Sequence, residues 1–226
     1  MAKERFSDCW YKEVCGFEND CNSCIRYSEM KYLMEQSGLP KSKQIPVPLK
    51  PDDCDYEAFT QLNNTKDAIH LFVNSGCNLL ICGSVGNGKT SWAIKLLLKY
   101  FDKVWLGNGF RTRGLFVHVP TLLLQLKDFN YPLTHEYKEN LLNADLVVWD
   151  EIGGDYGISG FDFSQLIMYI DNRILNNKSN IFTSNLETYE EFKAKLGERL
   201  ASRVYSFSDK ITLRGKDRRN GSVTSY

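Results

Sequence analysis

Residues 83–90 read Gly83-Ser84-Val85-Gly86-Asn87-Gly88-Lys89-Thr90. The stretch fits the pattern G-x-x-x-x-G-K-[S/T] and lies between an apolar run and a helical pattern. Its glycines let backbone amides turn toward phosphate oxygens, and the amino terminus of the following helix favours an anion. Lys89 is expected to reach the β- and γ-phosphates and Thr90 to hold Mg²⁺, with Ser91 completing the binding segment. We therefore predict an ATP-binding loop between a strand and a helix.

Five short apolar runs alternate with helical patterns in the rest of the chain. The runs lie at 78–82, 115–119, 146–149, 181–183 and 210–213, and the main helical patterns at 90–100, 122–129, 163–176 and 189–204. Continuous apolar strands separated by helices are typical of a parallel sheet covered on both faces. The patterns predict an α/β fold with a five-stranded parallel sheet flanked by helices.

Two adjacent carboxylates, Asp150 and Glu151, follow the apolar run at 146–149. Asp150 is expected to bind Mg²⁺, and Glu151 to activate the attacking water, which favours hydrolysis over transfer to a second substrate. Two acids that merely end a strand are the alternative. Asn185 follows another strand and is a candidate sensor of the γ-phosphate, although asparagine at a strand end also simply begins a turn.

Composition limits the class of protein. The chain has 226 residues, 42% of them hydrophobic, and its 28 Lys and Arg balance 28 Asp and Glu. These values exclude wholesale disorder and a uniformly basic nucleic-acid binder. Because no apolar run approaches the roughly 18 residues of a membrane span, and residue 1 leads into no signal-peptide core, we expect a cytoplasmic protein without a membrane partner.

The amino-terminal region differs from the rest in its cysteines. Four of the seven lie in the first 24 residues: Cys9, Cys15, Cys21 and Cys24. A segment this small buries little core, so we predict that these thiolates hold a structural Zn²⁺; an iron–sulfur cluster and disulfides are the alternatives. We assign residues 1–38 to a zinc-binding module, the proline-rich residues 39–54 to a linker and residues 55–226 to the ATPase domain.

The helical pattern at 190–204 carries two stripes. The apolar stripe is expected to pack against the core, and the basic stripe to face an anion, with a solvated basic face as the alternative. The apolar members are Phe192, Leu196, Leu200 and Val204, and the basic members are Lys195, Arg199 and Arg203.

Several motifs occur together and in order. They are the loop 83–90, Trp149-Asp-Glu-Ile-Gly153, Tyr169-Ile-Asp-Asn-Arg173, Thr183-Ser-Asn-Leu186, Gly197-Glu-Arg-Leu-Ala-Ser-Arg203 and Leu213-Arg-Gly-Lys-Asp-Arg-Arg219. In this combination, residues 55–220 resemble the AAA+ helicase-loader family typified by DnaC and DnaI, and the related transposition ATPase IstB.

The resemblance implies an AAA+ P-loop ATPase that assembles side by side, contacts single-stranded DNA and loads a hexameric replicative helicase. It implies that Arg203 is an arginine finger for a neighbouring subunit, that Arg199 is its companion, and that Arg219 lies near the nucleotide. We expect no carboxy-terminal helical lid. The compact size leads us to expect a phage-encoded protein that acts in the bacterial host cytoplasm.

DNA contact is assigned to Tyr156 in the glycine-rich loop 153–160, where the ring could stack on a base. A second aromatic and basic cluster follows the pattern at 122–129, and both groups could instead be loop and packing residues. The cluster comprises Lys127, Phe129, Tyr131 and Lys138.

Two rival functions remain open. An IstB-like helper that delivers a transposase would share the ATPase motifs, but the cysteine module favours the loader because DnaI-type loaders resemble this layout. A nucleotide-binding adaptor without turnover is the other alternative, and the intact Glu151 argues against it.

Overall fold

The protein is described by a computed structural model that covers residues 6, 9, 11, 15–16, 21–44, 48–127, 133–154 and 160–218. Within these residues the centre is a sheet of five strands, all parallel, and the sheet predicted from the sequence is confirmed. The strands are β1 (Asn78–Gly83), β2 (Gly114–His118), β3 (Leu146–Asp150), β4 (Ser179–Thr183) and β5 (Asp209–Leu213). They lie side by side in the order β2-β3-β4-β1-β5.

Helices cover both faces of the sheet. One face carries α1 (Ile25–Gln36), α2 (Tyr56–Asp67), α3 (Ile69–Asn74) and α4 (Lys89–Val104). The other carries α5 (Val119–Lys127), α6 (His135–Asn143), α7 (Gly160–Leu175) and α8 (Tyr189–Ala201). No helix among the described residues has both the length and the apolar character needed to cross a membrane.

The two cores follow from the alternation of side chains along each strand. In β1, Leu79 and Ile81 enter the core under α4, whereas Leu80 and Cys82 enter the core under α7 and α8. Successive side chains of a strand point to opposite faces, so a strand covered on both sides must be apolar throughout. All six residues of β1 are buried accordingly.

The helices differ from the sequence patterns in two ways. Helices α2, α3 and α6 were not predicted: α3 has only six residues, and α2 and α6 have few apolar residues. The pattern at 189–204 is not one regular helix: Gly197 has a φ of 74°, and a π-helical turn (Ser202–Ser206) follows α8. The predicted apolar stripe nevertheless packs, since all four of its residues are buried.

The residues before α2 pack directly on the rest of the fold. Three side chains of α1, Met30, Leu33 and Met34, are buried in the same core as α4. The carbonyl of Ser37 accepts a hydrogen bond of 2.7 Å from the amide of Phe116, at the outer edge of β2. Residues 25–40 therefore cover the sheet edge, and the predicted boundary at residue 38 remains a prediction.

A buried arginine on α7 joins the end of α6 to the start of β4. The guanidinium of Arg173 donates to the carbonyl oxygens of Leu141, Ala144 and Ser179 and to the side-chain oxygen of Asn180, at 2.6–3.0 Å. Burial lowers its pKa to about 9. Because its partners are the last carbonyls of α6 and the start of β4, Arg173 is a structural residue of the fold.

Candidate nucleotide-binding site

The predicted site residues meet at the carboxyl ends of β1, β3 and β4. They surround a cavity of about 220 Å³, next to the loop that joins β1 to α4. The lining comprises Leu49, Val85, Gly86, Gly88, Lys89, Thr90, Ser91, Glu151, Thr183, Ser184, Asn185 and Arg218. Most of the residues that the sequence assigned to nucleotide binding or catalysis are thus brought together.

The loop has the backbone shape that its glycines allow. Gly86 and Gly88 have φ values of 79° and 104°, which side chains rarely tolerate. The ammonium of the buried Lys89 donates to the carbonyl oxygens of Gly83 and Ser84, at 2.7 and 2.6 Å. It is held inside the loop, where it can donate to phosphate oxygens instead.

Two oxygen ligands suited to Mg²⁺ lie beside the loop. The hydroxyl of Thr90 donates to Asp150 Oδ1 at 2.8 Å, and Asp150 is only 2% exposed. Burial raises the pKa of the Asp150 carboxyl, the nearby charge of Glu151 adds to this, and hydrogen bonds from Thr183 and Thr90 oppose it. A carboxylate and a hydroxyl are hard oxygen donors, so the residues fit Mg²⁺.

Thr183, which the sequence placed in a motif without a role of its own, holds the two acids in place. The hydroxyl of Thr183 donates to Asp150 Oδ1 at 2.7 Å and accepts from the amide of Glu151 at 2.9 Å. Glu151 has a φ of 62°, an uncommon conformation for a residue with a side chain. Strain of this kind persists where surrounding hydrogen bonds hold it, and it concentrates at functional sites.

A histidine at the end of β2 contacts the second acid. His118 Nε2 lies 3.3 Å from Glu151 Oε2, and His118 Nδ1 lies 2.8 Å from Thr121 Oγ1. Among the described residues, His118, Asp150 and Glu151 are the one group of three or more potential metal ligands within 4.8 Å. His118 was not predicted from the sequence, although a polar residue at the carboxyl end of a neighbouring parallel strand is a recognisable feature.

Solved structures share this architecture. The crystal structure of the DnaC helicase loader superposes with a TM-score of 0.61 at 22% identity, over 73% of this chain and 93% of that one. For DnaI the TM-score is 0.62 at 20% identity, over 80% and 94%. A putative primosome component from Streptococcus pyogenes serotype M3 gives 0.60 at 20% identity, over 83% and 98%. The chain has the fold of the DnaC helicase loader and of DnaI.

The replication initiator DnaA also has a similar fold. The structure of AMPPCP-bound DnaA from Aquifex aeolicus has a TM-score of 0.52 at 18% identity, over 75% of this chain and 50% of that one. Comparison of the sequence with family profiles and with curated proteins found no match.

The two arginines predicted to act on a neighbouring subunit are paired with an acid of their own chain. Arg199 and Arg203 both donate to the carboxylate of Asp171 on α7, and neither lines the cavity of its own chain. The Arg203 guanidinium also lies 4.9 Å from the ring centroid of Phe207. Asp171 is almost fully buried, so a fixed carboxylate orients both guanidinium groups.

The four amino-terminal cysteines are not gathered into a metal site. All four belong to the described residues, and no three of their sulfur atoms lie within 4.8 Å of one another. A tetrahedral zinc site needs four thiolates around one point, so the predicted Zn²⁺ site is not confirmed. The disulfide alternative is not observed either, since Cys9, Cys15, Cys21 and Cys24 are free.

Some predicted contacts lie outside the described residues. These are Arg219 near the nucleotide, Tyr156 for DNA, and Phe129 and Tyr131 of the second aromatic cluster. The residue before Arg219 is described, and Arg218 lines the cavity.

Proposed function

We propose that this chain is an ATPase that uses ATP binding and hydrolysis to load a hexameric replicative DNA helicase onto single-stranded DNA. The observation that carries the proposal is the cavity in which Lys89, the Thr90–Asp150 pair and Glu151 meet on the AAA+ fold. Support for the loader function comes from the fold, which matches 93–98% of the chains of the DnaC, DnaI and primosome-component structures.

The side chains of the cavity have distinct parts in hydrolysis. The loop amides and Lys89 bind the phosphates, and Thr90 and Asp150 hold Mg²⁺, which neutralises charge on the phosphate oxygens when bound. Glu151 orients the attacking water and accepts its proton as the oxygen attacks the γ-phosphorus in line with the leaving oxygen. Asn185 also lines the cavity and is the candidate contact to the γ-phosphate.

The arginine pair acts between subunits. Arg199 and Arg203 are held on Asp171 and lie away from their own cavity, so they serve a neighbour's γ-phosphate when chains assemble side by side. An arginine finger is worth about 10³–10⁵ in rate where it has been removed from related phosphate-cleaving enzymes. Single-stranded DNA is bound by the assembled chains, with Tyr156 as the stacking residue.

Complementation between two inactive variants tests the assembly. An Arg203→Ala chain keeps its own pocket but supplies no finger, whereas a Lys89→Ala chain has no pocket but still supplies Arg203. Neither should hydrolyse ATP alone, and a mixture should regain part of the activity. Assembly of both variants is checked by sedimentation with helicase and single-stranded DNA. Wild-type hydrolysis by Arg203→Ala alone would show that the arginine is a surface residue without a catalytic part.

The partner is tested by co-purification. The full chain is incubated with a replicative helicase or with a transposase in the presence of ATP, and the helicase is then assayed for unwinding of a forked DNA. The proposal expects helicase capture and ATP-dependent unwinding, with Glu151→Gln as the control that binds ATP without turning it over. Capture of the transposase alone would identify the IstB-like alternative.

A further inference from the structure

One guanidinium connects the phosphate-binding loop to the segment that precedes the ATPase fold. Arg218 Nε donates to the carbonyl of Asn87 at 3.1 Å, and Arg218 Nη1 donates to the carbonyl of Lys50 at 2.5 Å. The backbone amide of Arg218 donates to the carbonyl of Gly86 at 2.9 Å. A single residue therefore bonds both the loop and residues 48–55.

Two acids within residues 48–55, Asp52 and Asp55, bind backbone amides of the segment that follows β5. The fully buried carboxylate of Asp55 accepts from the amides of Arg214 and Gly215, at 2.6 and 3.0 Å. Asp52 Oδ2 accepts from the amide of Lys216 at 3.0 Å. A Cβ on Gly215 would lie 2.3 Å from Asp55 Oδ2, so the packing requires glycine there.

The same segment forms part of the cavity wall. Leu49 lines the cavity together with Arg218, and its side chain also packs against the core under α4. Arg218 Nη2 lies 3.5 Å from the carboxylates of both Asp52 and Asp55, and its guanidinium lies 5.3 Å from the ring centroid of Phe59. The arginine is thus held by several groups at the wall of the cavity.

We propose that Arg218 is a positioning residue that couples nucleotide binding to the docking of residues 48–55. The inference rests on nucleotide binding in the proposed function and adds its regulation. A nucleotide that orders the loop fixes the carbonyls of Gly86 and Asn87, and these fix Arg218 and its bond to Lys50. Coupling between two sites is reciprocal, so an event that pulls residues 48–55 away weakens nucleotide binding by the same factor.

Residues 48–55 stand between α1 and the ATPase fold in sequence. A partner that binds the amino-terminal residues and displaces this segment would therefore weaken nucleotide binding. The proposed helicase is such a partner, and its binding would change the nucleotide affinity of the loop 83–90 without direct contact with the loop.

Hydrogen exchange of the full chain tests the coupling, with the non-hydrolysable analogue AMPPCP and Mg²⁺ as the probe. In the wild type, the probe should slow exchange in residues 83–90 and in residues 48–55 by about 5-fold or more, the lower end of usual coupling factors. Arg218→Ala should keep the protection of 83–90 and lose that of 48–55. Arg218→Lys should also lose it, because an ammonium cannot make the forked contacts of a guanidinium.

Lys216→Ala is the matched control. It removes a neighbouring exposed positive charge but leaves the backbone amide that Asp52 accepts, so both segments should stay protected. Asp52→Asn, which weakens the anchor of the segment without touching the loop, should reduce protection of 48–55 if Arg218→Ala fails to fold.

The other patterns of hydrogen exchange would overturn either the coupling alone or the proposed function as well. Protection of 83–90 without any change in 48–55 in the wild type would overturn the coupling and leave the proposed function intact. Persistent protection of 48–55 in folded Arg218→Ala or Asp52→Asn would overturn it as well. Protection of neither segment would reject nucleotide binding, and with it the proposed function.

Discussion

Arg199 Nη2 lies 2.6 Å from Asp171 Oδ2, and this buried acid on α7 also accepts from Arg203. One carboxylate therefore orients two arginines that follow each other by one helical turn. The side chain of Arg199 is 71% exposed and that of Arg203 is 31% exposed, so both guanidinium groups reach the surface. Asp171 determines where they point.

Replacement of Asp171 by Asn should impair hydrolysis only in the assembled state. The variant loses the charge that fixes Arg203, so kcat under assembly conditions should fall toward that of Arg203→Ala, while ATP affinity of the single chain stays unchanged. Loss of charged hydrogen bonds should also cost about 1–3 kcal/mol of stability. Glu198→Gln, an acid on α8 that pairs with Lys193, is the control. A wild-type kcat for folded Asp171→Asn would contradict the role.

Lys89→Ala and Glu151→Gln should separate binding from chemistry. Lys89→Ala should lose most ATP affinity because the loop loses its phosphate-binding ammonium, whereas Glu151→Gln should bind ATP and stop hydrolysing it. Calorimetric titration with ATP and a phosphate-release assay measure the two effects. Equal hydrolysis by wild type and Glu151→Gln would remove Glu151 from the catalytic residues.

Thr183→Val should lower kcat more than ATP affinity. Valine has the same shape, but it leaves Asp150 and the amide of Glu151 without the hydroxyl that holds them. A displacement of about 1 Å in a catalytic group can cost about 10²-fold in rate. Thr183→Ser retains the hydroxyl and should recover most of the activity. If the valine and serine variants have equal kcat values, the hydroxyl has no positioning effect.

Asp145 should make the stability of the fold depend on acid pH. Burial alone would raise the pKa of this carboxyl, but the hydrogen bond from Lys178 and the charge of Arg113 outweigh it and hold the pKa below its ordinary value. A depressed folded-state pKa means that the stabilisation is complete above the unfolded value of about 3.9 and is lost as the pH falls through the folded one.

The stability difference between wild type and Asp145→Asn should therefore be largest near pH 7, at about 1–3 kcal/mol, and should shrink below about pH 4. Urea denaturation across this range measures it. Asp67→Asn, which removes a largely exposed acid beside Lys66, should show little difference at any pH. A constant difference for Asp145→Asn from pH 7 to pH 3 would show that its charge is not stabilised by folding.

The strands, their parallel arrangement and the turn between β1 and α4 could be predicted from the sequence because each rests on contiguous residues. The apolar run of β1 and the loop 83–90 specify a strand, a turn and a helix start without reference to the rest of the chain. The pair Asp150 and Glu151 was predicted for the same reason, since it directly ends a buried strand. The α/β fold follows from these local patterns.

Only the tertiary structure decided which distant side chains meet. Parallel strands bring their carboxyl ends to one edge, so Thr183 and His118 reach the acids of β3 from other strands, and no spacing rule connects them. Asp171 on α7 binds Arg203, which follows α8. Arg218 contacts the loop 83–90, which lies about 130 positions earlier in the chain. The four amino-terminal cysteines are close in sequence, but their sulfur atoms do not meet at one point. Contacts of this kind depend on packing and side-chain direction, which local sequence leaves open.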